Sequence, residues 1–569
     1  MFDPGLAAPA RRGSAARPAG LGYAAPLMSR TALLGPLVLA VVLALAVPTG
    51  AGAARGPALD RLPQALPAAG PHAATTALAT PRWLIGARAS RTTARIARAH
   101  AARPLAVRGA YVVDARHARA LAAALRHRGL LRFSEPDVAL TRASAYEGAG
   151  ADQTWTRGTV VAAGLVPPPA LAPIGILDDV VDIGVADVNQ AKVLASSPTK
   201  ALPTNEGVEV AHGTEVASVA AGRADGAGVI GIAPGAPLLS YGYKSMSCAE
   251  LSDGIVRLAD AGAKVINLSF AANEDCHTLQ LATAAAFGSG AVVVAAAGNQ
   301  LREHDPVVYP AAYPHVLSVG ALDLTLQPAS FSSTGAALDL AAPGEDVPVA
   351  VPPALDLDGT ADGLTRGDGT SFAAPIVSGV ASWLVAARPK LDAGQYGDLL
   401  RATAKDIGAP GWDSRTGFGL VDLAAALTAP TPAADRNEPN DGIDFVDGSA
   451  FSAPDPYIFR GGAARTTTAS VDAVEDPVDV YRIQVKPHQG ATVALTPRGG
   501  NADLAVYASK AKSLASKAVA RSRQTGTKTD RVRVRNRGTR AATFYVAVLA
   551  PNVAQRALDT PYALKIARG

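Results

Sequence analysis

Between residues 173 and 405 short apolar runs alternate with helix-like stretches, and this alternation leaves the chain few architectures to choose from. Runs at 174–177, 238–243, 264–270, 291–298 and 316–321 read as strands buried on both faces, separated by helix-like stretches at 212–222, 249–262, 277–289, 371–387 and 392–405. The pattern predicts an α/β domain, a parallel sheet with helices on both faces. The stretch 371–387 is apolar almost all round, so it is expected to pass buried through the middle of that domain.

The same apolar helix begins with Gly-Thr-Ser-Phe-Ala-Ala-Pro at 369–375. Ser371 falls in the first turn, with its backbone N–H at the positive end of the helix dipole. That position suits an acyl-transfer nucleophile, although an ordinary helix cap reads the same way. A serine hydroxyl is weakly nucleophilic at neutral pH and needs an imidazole to take its proton and a carboxylate to orient the imidazole. Of nine histidines, His72, His100, His117 and His127 lie in the N-terminal region, and His277, His304, His315 and His488 lie in turns or at strand edges. His212 instead opens a small-residue helix, followed by Gly-Thr as if mirroring the pair before Ser371. The carboxylate follows the apolar run Pro-Ile-Gly-Ile-Leu, and working residues of open α/β sheets lie at the carboxyl ends of strands. Asp178 is the first polar residue there, and Asp179 is its rival. A fourth run, Ala-Val-Val-Val-Ala-Ala-Ala-Gly-Asn at 291–299, places the amide of Asn299 at a strand end, where it can serve as an oxyanion donor beside the Ser371 N–H.

These four segments, in the order Asp, His, Asn, Ser, resemble the subtilisin-like serine proteases, the subtilases. The resemblance extends to Gly-Ile-Ala-Pro-Gly-Ala at 231–236, Val-Ile-Asn-Leu-Ser at 265–269, Tyr-Pro-Ala-Ala-Tyr-Pro at 309–314 and Gly-Phe-Gly-Leu-Val-Asp at 417–422. It implies a catalytic triad of Asp178, His212 and Ser371, with Asn299 and Ser371 forming the oxyanion hole. By the same resemblance, Ser269, Phe270 and Ala271 form one wall of the substrate cleft, and Gly298, Val308 and Ala311 lie at the primary specificity pocket. Ala271 stands where glycine is usual in the family, and the extra methyl groups favour modest apolar side chains over large aromatics. The region Gly242 to Cys248 is expected to contribute an edge strand to substrate pairing, shortened relative to subtilisin. Asp179 after the catalytic carboxylate is a further departure, and a second carboxylate tends to raise one of the two pKa values, so activity is expected to fall away earlier on acidification. The resemblance also brings rival functions: a non-catalytic surface binding protein on a subtilase fold, or a processing protease of narrow specificity.

The ends of the chain describe export. Arginines at 11, 12, 17 and 30 precede an apolar run from Ala32 to Val47, followed by Ala51-Gly-Ala53, as in a signal peptide. Residues 1–53 are therefore read as a signal peptide, with an uncleaved anchor as the alternative, and 54–81 as a linker. The protein is expected to be secreted, with no stable membrane insertion after processing. In an exported chain the two cysteines, Cys248 and Cys276, are expected to form a disulfide rather than stay as free thiols.

Residues 82–144 alternate strand and helix as a small α/β unit. Its tail, Phe133-Ser-Glu-Pro-Asp137, resembles the end of the inhibitory propeptide of subtilases. That implies a ferredoxin-like intramolecular inhibitor, removed after Thr141; a permanent basic accessory domain is the alternative. The catalytic domain spans 145–428, a Pro- and Ala-rich linker 429–437, and short period-two runs over 438–569 predict an all-β sandwich resembling pre-peptidase C-terminal domains.

Between Lys510 and Arg540 there are eleven Lys or Arg and one acid, Asp530. A solvated sheet face accounts for them, with weak contact to a polyanion or cell wall as the alternative. No recognition motif accompanies the charge, so nucleic acid is not an expected partner; protein or peptide substrates are. The chain is expected to act as a monomer and without a cofactor. The loop Gly222 to Ala227 holds one carboxylate, so no metal residues are assigned, although structural calcium is common in the family.

Overall fold

A computed structural model of the chain describes residues 81–138, 141–142, 145–146, 154–179, 181–195, 202–203, 209–303, 305–356, 360, 362–450, 454–551 and 560–569. The expected signal peptide and most of the linker after it lie outside the described residues.

The N-terminal unit is built from β1 (Arg82–Ala87), α1 (Arg91–Ala99), β2 (Arg103–Pro104), β3 (Ala110–Asp114), α2 (Ala115–Arg126) and β4 (Leu131–Pro136). Its antiparallel sheet has the order β2-β3-β1-β4. Ser90 caps α1 by accepting from the Thr93 N–H, and Ala97, Leu121 and Leu125 are buried with β1 and β3 in one small core. The chain then forms two short strands, β5 (Thr141–Arg142) and β6 (Ala145–Tyr146), and the helix α3 (Thr154–Val160).

The central domain continues with β7 (Ile174–Asp178), β8 (Lys192–Ala195), the hairpin β9 (Leu202–Pro203) and β10 (Glu209–Val210), α4 (His212–Ala221), β11 (Leu238–Gly242), α5 (Cys248–Asp260), β12 (Val265–Leu268), β13 (Phe270–Ala271), α6 (His277–Gly288), β14 (Val292–Ala296), β15 (Val316–Leu322), β16 (Leu340–Pro343), β17 (Val347–Ala350), β18 (Leu364–Asp368), α7 (Thr370–Ala387), α8 (Ala393–Thr403) and α9 (Leu423–Thr428). Seven strands make one parallel sheet in the order β16-β15-β14-β12-β7-β11-β8. The five strands and five helices expected from the alternation are all present, and β8 and β16 extend the sheet at its two edges. α7 is long and apolar enough to cross a membrane, but its residues from Thr370 to Leu384 are buried in the core. Gly379 lets α7 come close to α4: a Cβ there would lie 2.6 Å from Ile232 Cβ and 3.0 Å from the Ala220 carbonyl oxygen.

The N-terminal unit docks on the amino ends of two of these helices. Glu135 accepts hydrogen bonds from the Thr278 N–H and hydroxyl (3.0 and 2.7 Å) and from the His277 N–H (3.0 Å) at the start of α6. Asp137 accepts from the Ala249 N–H at the start of α5 (2.9 Å) and pairs with Arg82 at 2.8 Å. Each carboxylate therefore meets donors that a helix cannot satisfy internally, at the positive end of its dipole. The Phe133 ring stands edge-on to His277, with centroids 4.7 Å apart.

The tail begins with α10 (Ile443–Val446) and continues as β19 (Arg465–Val471), β20 (Val478–Val485), β21 (Gly490–Pro497), β22 (Asp503–Ala508), β23 (Ala520–Ser522), β24 (Asp530–Arg535), β25 (Ala542–Leu549) and β26 (Thr560–Arg568). Two antiparallel sheets result, β19-β26-β21-β24 and β20-β25-β22-β23. Along β24 the arginines at 531, 533 and 535 are exposed while Val532 and Val534 are buried, as the period of two requires. Residues 429–437, a linker by composition, run along the central domain: Arg388 donates to the Ala429 carbonyl and Gln395 to the Pro432 carbonyl. The tail also touches the N-terminal unit, through Arg132 and Asp447 at 3.6 Å.

The Glu135 contact gives a direct test. Supplied as a separate peptide, the N-terminal unit carrying Glu135→Ala is expected to bind the rest of the chain about five- to thirtyfold more weakly than the parent peptide. That corresponds to the roughly 1–2 kcal/mol typical of a lost helix cap. Titration of binding measures it, and equal affinity of the two peptides would refute the capping role.

Candidate active site

Asp178 is the last residue of β7 and His212 the first of α4, and the fold brings them together: His212 Nδ1 lies 2.8 Å from Asp178 Oδ1 and 3.0 Å from Oδ2. Asp178 Oδ1 also accepts from the Asp179 N–H at 2.8 Å. Asp179, the rival in sequence, turns instead to the start of α4, where it accepts from the Gly213 N–H at 2.6 Å. The second carboxylate thus anchors the helix that carries the imidazole.

Ser371 occupies the first turn of α7, and the ring of the next residue, Phe372, lies 5.9 Å from the imidazole of His212. Asp178, His212 and Ser371 are 1%, 0% and 0% exposed, so bulk water does not reach them in this form of the chain. Pro375 sits within α7 and has no N–H to give the carbonyl of Ser371, four residues earlier. Ser269 fills that gap, its hydroxyl donating to the Ser371 carbonyl at 2.8 Å. The Ser269 carbonyl in turn accepts the Ser371 hydroxyl at 3.2 Å. Asn267 donates to the Ser269 hydroxyl (2.9 Å) and accepts from Ser378 on α7 (2.9 Å). Ser269, expected from the resemblance as a cleft-wall residue, therefore also holds the serine at both ends. Asn267 and Ser378 were not singled out in sequence, because polar residues inside apolar runs reveal their partners only in three dimensions.

Asn299 lies just beyond β14, after Gly298, whose φ of +97° is accessible to glycine at little cost. A Cβ at Gly298 would also lie 3.1 Å from the Ser333 hydroxyl and 3.2 Å from Val308. Thr370 fixes the Asn299 amide, since its N–H (3.0 Å) and its hydroxyl (2.8 Å) both donate to Asn299 Oδ1. An atom that receives two donors is the amide oxygen, so Nδ2 is the donor end. Val308 and Ala311 are buried, and the loop that carries them is tied to the end of the cleft wall by paired backbone hydrogen bonds between Ala272 and Tyr309.

The wall Phe270–Ala271 has a strand on it. β5 pairs antiparallel with β13, Arg142 opposite Phe270 and Thr141 opposite Ala271, while β6 pairs with β18 through Tyr146–Gly367 and Ala145–Asp368. Residues 141–142 and 145–146 are thus each held beside the site by main-chain pairing, as an added β-strand is. The expected edge strand at Gly242 to Cys248 does not form over 243–246. The backbone amides of Lys244 and Ser245 turn back to Glu250, at 2.7 and 3.0 Å, which holds this stretch as a cap of α5. Cys248, the first residue of α5, and Cys276, just before α6, face each other with Cα atoms 6.6 Å apart.

A carboxylate-oriented imidazole, a serine at a helix start and a side-chain amide donor are the kinds of group that hydrolytic acyl transfer uses, and here the serine hydroxyl donates to the Ser269 carbonyl. Comparison with known proteins agrees. The Subtilase family profile matches residues 172–419. Subtilisin DY of Bacillus licheniformis is 35% identical over 223 residues, covering 38% of this chain and 77% of that protein. A subtilisin of Bacillus pumilus is 32% identical over 263 residues, covering 44% and 90%. Fervidolysin of Fervidobacterium pennivorans is 36% identical over 244 residues, but these span only 35% of its length. Its crystal structure, described as that of a keratinolytic enzyme related to subtilisin, shares the fold with a TM-score of 0.53 at 19% identity, over 80% of this chain and 85% of that one. The class is that of the subtilisin-like serine endopeptidases. The chain belongs to the subtilase family.

The bracket around Ser371 predicts a split effect. Ser269→Ala leaves a buried carbonyl without a donor, at a cost of about 1–3 kcal/mol, and is expected to lower kcat tenfold or more with KM nearly unchanged. Steady-state kinetics on a peptide substrate decides; a variant that changes only KM would show Ser269 to be a binding residue alone.

Proposed function

We propose that the protein is a secreted serine endopeptidase made as a precursor that processes itself. The observation that carries this reading is the strand Thr141–Arg142 paired with Phe270–Ala271 in front of the Asp178–His212 pair and Ser371. A substrate would lie along the same wall in the same antiparallel sense. Ser371 attacks the carbonyl of the bond to be broken, and His212 takes the serine proton and passes it to the leaving amine. Asp178 holds the imidazole, and Asn299 Nδ2 with the Ser371 N–H stabilises the oxyanion. Gly298, Val308 and Ala311 form the floor of the pocket for the side chain before the cut, and their small volume favours modest apolar groups.

Residues 82–144 act in this reading as the chain's own inhibitor. The self-cut falls between Arg142 and Ala145, where the chain passes from the β13 side of the site to the β18 side. Export through the N-terminal signal sequence supplies an oxidising environment, in which Cys248 and Cys276 form a disulfide between the loops ahead of α5 and α6.

Two measurements test this. The Ser371→Ala chain is expected to accumulate as the full precursor and to take up no fluorophosphonate probe, whereas the parent is labelled and its mature N-terminus, read by sequencing, lies at residue 143, 144 or 145. Maturation of the Ser371→Ala chain when expressed alone would exclude self-processing. For the disulfide, a Cys248→Ser/Cys276→Ser variant is expected to lose about 3–4 kcal/mol of stability, the loop-closure contribution for a separation of 28 residues. Denaturant unfolding with and without reductant checks it, and an unchanged midpoint would mean free thiols.

A further inference from the structure

In the N-terminal unit, β4 carries one residue too many for its ladder with β1. Gly86 pairs with Phe133 and the next residue, Ala87, pairs with Leu131, so Arg132 has no residue opposite it. A bulge of this kind re-aims the extra side chain. Here the Arg132 guanidinium meets the tail, 3.6 Å from Asp447, and the two side chains are only 14% and 8% exposed. Asp447 is the one ion-pair partner of Arg132 among the described residues. Phe133, beside it, turns to the central domain. Its ring lies over Gly86, where a Cβ would come within 2.0 Å of it, and stands edge-on to His277 at the start of α6.

The tail's side of this contact is held rigidly. α10 is shared between two cores: Phe445 and the nearby Ala450 pack with the central domain, Ile443 and Val446 with the β-sandwich. The turn after α10 closes on itself, the Ala450 N–H donating to the Asp444 carbonyl at 2.9 Å. The Ser449 N–H donates to Asp447 Oδ1 at 2.9 Å, and the Ser449 hydroxyl donates to the same oxygen. That leaves Oδ2 as the oxygen that faces Arg132. Asp444, on the same turn, lies 3.9 Å from His277 Nε2. Arg108 of the N-terminal unit, Leu281 of α6 and Ser449 of the tail line one narrow cleft beside these groups.

We propose that the turn 444–450 of the tail is a docking surface for the N-terminal unit, and that it keeps this unit seated on the central domain after the connecting chain has been cut. The proposal rests on the reading of residues 82–144 as the chain's own inhibitor. A cut between Arg142 and Ala145 removes the covalent link, but it leaves Glu135 and Asp137 on the starts of α6 and α5 and Arg132 on Asp447. The first two contacts belong to the central domain and the third to the tail. Breaking a largely buried charge pair falls mainly on the rate of dissociation. Activity is then gated by the tail as well as by the self-cut: a chain that keeps residues 438–569 holds its inhibitor longer than one that has lost them.

The test uses the full chain carrying Ser371→Ala, with a recognition sequence for a site-specific protease in place of residues 147–152. The N-terminal unit can then be cut free without the chain's own chemistry, and its dissociation from the immobilised remainder is timed. Asp447→Asn keeps an acceptor for Ser449 and removes the charge; Arg132→Gln removes the charge from the other side. Each is expected to speed dissociation about three- to tenfold, and the double variant no more than either alone. Equal rates in the parent and both single variants overturn the clamp. Additive effects in the double variant overturn the Arg132–Asp447 contact as its cause. The inhibitor reading is tested separately, by peptide hydrolysis with Ser371 restored: a cut chain that still holds its unit and hydrolyses at full rate overturns that reading, whereas the clamp stands or falls on the dissociation rates.

Discussion

One missing amide organises the cleft. Pro375 cannot give a hydrogen to the Ser371 carbonyl, and a buried helix carbonyl without a donor must find one elsewhere. Ser269 supplies it from the end of β12, and its hydroxyl is in turn held by Asn267, which reaches back to Ser378 on α7. The first turn of α7 and the carboxyl end of β12 are thereby locked to each other. Because β13 follows Ser269 directly, the strand on which Thr141–Arg142 lies is in register with the serine. Gly379 makes the companion fit possible on the α4 side, bringing the helix of His212 against the helix of Ser371.

Much of this was legible in the sequence, and the divide follows physics. Central parallel strands are buried on both faces, so β7, β11, β12, β14 and β15 appear as near-continuous apolar runs. The edge strands do not: β8 is Lys-Val-Leu-Ala with its lysine exposed, and β16 ends in a proline. The residues that could be named in advance sit at strand ends or helix starts, where sequence spacing fixes position. Asp178, His212, Ser371 and Asn299 are of that kind. What was hidden depends on pairs far apart in the chain, such as Thr370 turning the Asn299 amide or Asp179 anchoring α4. The stretch 243–246 misled for a related reason: its amides had two competing partners, an edge strand or Glu250, and the glutamate six residues on is the nearer one.

Helix amino ends recur as attachment points. Glu135 and Asp137, two residues apart on an extended chain, reach the starts of α6 and α5, and the same two helix starts carry Cys276 and Cys248. Burial pushes the Glu135 carboxyl above the usual range while the donors of Thr278 and His277 pull it back. The docking is thus a balance between lost hydration and the unsatisfied N–H groups of a helix start.

His277 marks a place where all three parts of the chain converge. Phe133 of the N-terminal unit covers its ring, Asp444 of α10 approaches to 3.9 Å, and Arg132 beside Phe133 faces Asp447. If the N-terminal unit is released, as proposed, Asp447 of the tail loses the counter-charge of Arg132. The surface left behind would then carry an acidic step at Asp444 and Asp447, at a point away from the serine.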